Sequence, residues 1–126
     1  MDINHVHLQG CLGDVPKYFD AADGKEAFAY FSLATNVKIK GKNGTPDSTD
    51  TQWHDIVCFG WRADVARTFA KGARVDLLGY KRRREYQTPS GKAYVHEIVA
   101  QDLHAVVVTP RESTTPAPTS VPHQYV

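Results

Sequence analysis

The chain has 126 residues, 41% of them hydrophobic, and a formal net charge of +1. That is room for one core of roughly 100 residues and argues for a single domain, while the charge excludes a grip on phosphate through bulk basicity, so any such grip must come from local clustering. No apolar run of about 18 residues occurs, and the N-terminus opens on a polar-apolar alternation with no basic segment or small-residue cleavage site, which predicts a soluble, intracellular protein and no membrane partner.

From Asn4 to Leu8, Val6 and Leu8 alternate with His5 and His7, the period of a half-buried strand, and Gly10 and Gly13 let it bend. Cys11 and Cys58 sit in apolar runs without metal-ligand spacing or secretory context, and read as reduced, buried small hydrophobes. Residues 14–26 carry Pro16, Asp20, Asp23 and Gly24 and read as a loop. A long second strand over 27–37 follows, rich in Phe28, Tyr30, Phe31 and Leu33, and then a polar loop over 38–50.

The third strand, 51–59, puts Trp53, Asp55, Val57 and Phe59 on one parity and His54, Ile56 and Cys58 on the other. Residues 61–71 place Ala63, Ala66, Phe69 and Ala70 near helical spacing, with Gly72 positioned to take positive φ after Lys71. Two more strands, 74–86 and 93–108, are joined by the turn-like Thr88-Pro-Ser-Gly91. An all-β chain of five strands with one short helix between the third and fourth has the element order of a five-stranded Greek-key barrel, the OB-fold. The barrel is expected over residues 1–110. Beyond it, 111–126 is a Ser/Thr/Pro-rich tail whose composition predicts disorder.

Trp53 and Phe59 share one strand face, where rings can take unpaired bases of any identity; on packing grounds alone either also suits a core or an interface. Lys81-Arg-Arg-Arg84 precedes Tyr86, and Arg82, Arg84 and Tyr86 share parity, so cations and a ring face the same way. Such a run is in other settings a solvated face. Lys38, Lys40 and Lys42 lie in or beside the polar loop, where loops of this barrel type extend a binding groove, although simple solubilisation accounts for them equally. His5 and His7 have a spacing that can hold a metal, but no Cys or acidic partner joins them at suitable spacing. No nucleophile, phosphate loop or metal constellation is legible, so no catalytic residues and no enzyme are expected.

Several stretches resemble bacterial single-stranded DNA-binding proteins: Asn4-His-Val-His-Leu-Gln-Gly-Cys-Leu-Gly13 with Pro16, Phe31-Ser-Leu-Ala-Thr-Asn36, and Trp53-His-Asp-Ile-Val-Cys-Phe-Gly60. Lys71-Gly72 with Val75 and Gly79, and Glu97-Ile-Val-Ala100, continue the match in the family's order. The resemblance implies an OB-fold, sequence-tolerant binding of single-stranded DNA during replication, recombination or repair, and no cofactor. It further implies a homotetramer, with a dimer as the alternative, in the bacterial cytoplasm at the nucleoid. Trp53, Phe59 and Tyr86 match its base-stacking positions; Lys81, Arg82, Arg83, Arg84, Lys38 and Lys40 are the expected phosphate contacts; His54 matches a position at a subunit contact.

Two departures stand out. Many family members carry an aromatic three residues after the Ala-Thr-polar step of the second strand, and here that position is Ile39, so one stacking platform is missing unless Tyr30 or Phe31 compensates. The family's acidic, enzyme-recruiting tip also has no counterpart, since residues 113–126 hold no carboxylate side chain. Both features also suit an alternative, a primosomal-type OB-fold interaction module that binds DNA weakly, or a specialised copy from a mobile element.

Overall fold

The computed structural model describes residues 1–106, so the expected tail and the end of the last strand lie outside the described residues. In chain order the elements are β1 (Val6–Leu12), β2 (Lys17–Phe19), β3 (Phe28–Ile39), β4 (Ser48–Phe59), α1 (Trp61–Ala66), β5 (Arg74–Thr88) and β6 (Gly91–Ala105). The sheet order β1-β5-β6-β4-β3-β2, with an additional β1–β3 pairing, closes a barrel of β1, β3, β4, β5 and β6. Closure depends on β1 serving two partners. Val6 to Cys11 pair with β5, and Cys11 and Leu12 also meet Ala34 and Leu33 of β3. At Gly10 β1 and β3 come so close that a Cβ would sit 2.0 Å from the Ala34 carbonyl oxygen, so only glycine fits that crossing.

The core follows strand parity. Leu12, Leu33, Ile56, Cys58, Val75 and Leu77 are fully buried, and Ala63 and Ala66 of α1 pack against the same cluster. Each large aliphatic side chain so buried stabilises the barrel by about 1.5–3 kcal/mol. Burial pushes the Cys58 thiol up to about 11, in keeping with its packing role.

Three elements differ from their sequence expectation. Residues 17–19 of the expected loop form β2, whose Lys17, Tyr18 and Phe19 pair with Tyr30, Ala29 and Phe28; a three-residue strand is too short for periodicity to reveal. The polar loop is shorter than read, because β3 and β4 pair without interruption from Phe28↔Phe59 to Ile39↔Ser48. Its turn is Asn43-Gly44, with φ of 50° and 80° and the Thr45 N–H donating to the Lys42 carbonyl at 2.9 Å. Positive φ at both central residues is the hairpin geometry that Asn-Gly favours. The helix ends at Ala66 rather than Lys71, since Thr68 and Phe69 donate to carbonyls three residues back and tighten the chain. Gly72 does take positive φ, at 81°, but its N–H donates to the Leu12 carbonyl.

Candidate nucleic-acid interface

Directly opposed residues of an antiparallel pair share a face. On β3 and β4 the outward face therefore holds Ala34 opposite Trp53, Ser32 opposite Asp55, Tyr30 opposite Val57 and Phe28 opposite Phe59. Trp53 is 58% exposed. Its indole lies over Gly13, where a Cβ would come within 2.6 Å of ring carbon Cζ3. Phe59 is half-buried, with its ring 6.4 Å from Phe28 and the Arg82 guanidinium 5.6 Å from its centroid. His54 points the other way, 2.9 Å from the Thr35 hydroxyl, and burial lowers its pKa. Lys38, opposite Thr49, shares the Trp53 parity; Lys40 lies beyond the strand end and is exposed; Ile39, opposite Ser48, has the other parity.

The β5–β6 hairpin divides the basic run. Arg82, Arg84 and Tyr86 lie opposite Glu97, Val95 and Ala93 on one face, as parity predicts, and Tyr86 is 46% exposed. Lys81 and Arg83 take the other parity. The Arg83 guanidinium sits 4.3 Å over the Tyr94 ring, and the Asn4 side chain clamps Lys81 by accepting from its N–H at 3.0 Å and donating to its carbonyl at 2.8 Å.

Glu97, which sequence reasoning missed, anchors this face. Arg82 donates to its Oε2 through Nε at 2.9 Å and again through a terminal nitrogen, and Arg84 Nε reaches the same oxygen at 3.3 Å. Burial acts to raise the Glu97 pKa, but the hydrogen bonds and charges of Arg82 and Arg84 outweigh it and hold the carboxyl below its ordinary value. The anchored guanidinium of Arg82 is thereby fixed beside the Phe59 ring, at the cost of part of the positive field. The only hint in sequence is a carboxylate heading the apolar run 97–100.

Between Tyr30 and Phe31, the structure decides which faces outward. Phe31 is in the core, edge-on to Phe69 at 6.2 Å, whereas Tyr30 is 43% exposed. Beside Tyr30, the β2 residue Phe19 stacks on Phe28 at 4.8 Å and lies 6.0 Å from Tyr30. A groove of about 900 Å³ runs along Phe28, Tyr30, Phe59, Arg82, Arg84 and Glu97. A smaller one of about 370 Å³ runs between Trp53, Gly13, Lys17 and Tyr30.

On the β1–β5 face, His7 does have an acidic neighbour that spacing did not reveal: Asp76, 3.0 Å away. Hydrogen bonds from Gln9 and His7 hold the Asp76 carboxyl below its usual range. Among the described residues no three or more His, Cys, Asp or Glu side chains gather in a way that could hold a metal ion, and no helix is long and apolar enough to cross a membrane.

This geometry has known counterparts. A Single-stranded DNA-binding protein of Bacteroides thetaiotaomicron is 34% identical over 122 residues, covering 93% of this chain and 73% of that protein. Single-stranded DNA-binding protein 1 of Chlorobaculum tepidum is 33% identical over 104 residues, covering 80% of this chain and 63% of its own length. The solved structure of a Plasmodium falciparum SSB complex with ssDNA superposes with a TM-score of 0.73 at 27% identity, covering 85% of this chain and 97% of that one. A sequence model of the Single-strand binding protein family matches residues 3–106, the whole barrel, and this chain belongs to that family.

Proposed function

We propose that this chain binds single-stranded DNA without reading its sequence and without catalysing a reaction, stacking bases on Trp53, Phe59 and Tyr86 while Arg82, Arg84 and Lys38 contact phosphates. The observation that carries the reading is that Phe59, Arg82 and Arg84 line one groove, with exposed Trp53 on the Phe59 face of β4 and exposed Tyr86 on the Arg82 and Arg84 face of β5. Unpaired bases present a π-face whatever their identity, and each stack is worth about 1–3 kcal/mol. Lys81 and Arg83, of the other parity, and Lys40, beyond the end of β3, act at the edges of that surface, on a strand that wraps past one barrel. The assembly is a homotetramer, in line with the family, and it works in the bacterial cytoplasm on strand exposed by replication, recombination and repair.

Titration with oligothymidylate tests the reading. It should quench tryptophan fluorescence and weaken as salt rises, because cations on the protein displace counterions from phosphate. An unchanged signal at low salt and micromolar protein, with no electrophoretic shift, overturns it.

A further inference from the structure

Trp53 and Phe59 are six residues apart on β4, so their attachment points are separated by roughly 20 Å. That span is too long for adjacent stacked bases. Tyr30 lies inside it, opposite Val57, and lines both grooves, the one that holds Phe59 and the one that holds Trp53; Phe31 lines both too but is buried, so Tyr30 is the ring they share that is exposed. Its neighbours are also aromatic: Phe19 is 43% exposed and stacks on Phe28, giving Tyr30 a rigid backing. Lys17 Nζ is 5.9 Å from the Tyr30 centroid, and Lys25 lines the larger groove. Glu26, Asp55 and Glu97 line that groove too, so a phosphate backbone is favoured beside its cations Lys25, Arg82 and Arg84 and beside Lys17 of the smaller groove.

We propose that Tyr30, backed by Phe19 and Phe28 and flanked by Lys17 and Lys25, is an additional base-stacking subsite that carries a single DNA strand from Trp53 to Phe59. The proposal rests on the single-strand-binding reading above and extends it to β2, an element absent from the sequence-based expectation. It supplies the aromatic surface that Ile39 does not. The occupant is the base of a single strand rather than a second protein copy, because the ring patch is continuous with the Trp53 and Phe59 surfaces and has cations at its edge.

The test compares full-length wild type with Tyr30→Ala, Tyr30→Phe and Lys17→Ala, titrated with oligothymidylate at fixed salt, with the oligomer mass measured for each. Tyr30→Ala should weaken binding at least about fivefold, the lower end of one lost stack. Tyr30→Phe should bind within about twofold of wild type, and Lys17→Ala should flatten the salt dependence. Wild-type affinity in Tyr30→Ala overturns the subsite but leaves the binding reading intact; failure of wild type itself to bind overturns both. A change of oligomer mass in Tyr30→Ala with DNA binding retained assigns the patch to a second copy and also overturns the subsite. Photocrosslinking of wild type to an oligonucleotide carrying 5-iodouracil keeps the question answerable if Tyr30→Ala does not fold. Adducts on Tyr30 or Phe19 support the subsite, and adducts confined to Trp53, Phe59 and Tyr86 overturn it.

Discussion

Arg82 Nε donates to Glu97 Oε2 at 2.9 Å, and Arg84 shares that oxygen, so a buried carboxylate ties together two cations of the proposed binding face. The pairing trades field strength for position. It also makes the response of this face to substitution differ from that of an ordinary surface cluster.

Glu97→Gln should lower stability by about 1–3 kcal/mol, because two guanidinium groups lose a charged acceptor in a part-buried site. Affinity for single-stranded DNA should rise, and the salt dependence should steepen by up to about one phosphate contact per released cation. Urea unfolding and salt-dependent titration measure the two effects separately.

Acid should weaken the same anchor. The Glu97 pKa lies lower in the folded than in the unfolded chain, so its contribution is fully present above the unfolded value of about 4.3 and is lost as pH falls through the folded value. Stability measured from pH 7 down to pH 3 should fall less steeply in Glu97→Gln than in wild type.

Trp53→Ala and Tyr86→Ala should each reduce binding by about 1–3 kcal/mol with little effect on folding, since both rings are about half-exposed. Trp53→Ala should also remove most of the fluorescence quench. The remaining tryptophan, Trp61, sits on α1 beneath the Arg62 guanidinium, 4.6 Å from its ring. Equal affinity in all three proteins would disprove the stacking roles.

Gly13→Ala should act through Trp53. The added methyl would lie 2.6 Å from the indole, closer than atoms tolerate, so the ring must tilt out of its seat. We expect weaker oligothymidylate binding and a shifted tryptophan emission with a near-native melting temperature.

Cys58 should resist thiol reagents in the folded protein, because it is buried and its pKa is pushed up to about 11. Mass spectrometry after maleimide treatment should find it modified only when denaturant is present.

Sequence alone determined what depends on local period. The alternation of 53–59 put Trp53 and Phe59 on one face and Ile56 and Cys58 on the other, and the shared parity of Arg82, Arg84 and Tyr86 held likewise. The order of strands and helix identified the barrel, and the β3–β4 pairing runs further into the expected polar loop, to Ile39 and Ser48, ahead of the Asn43-Gly44 turn. What tertiary structure decided are relationships across strands. Glu97 meets Arg82 across 15 residues of sequence, β2 exists only because Tyr30 and Phe28 offer it a pairing edge, and Tyr30 rather than Phe31 faces outward. Period two tells which residues share a face, but not which face is outside where apolar and aromatic residues follow one another, nor which strand lies alongside. Those choices are fixed when β1 leaves β5 for β3 at Gly10 and closes the barrel, since that closure sets every register at once.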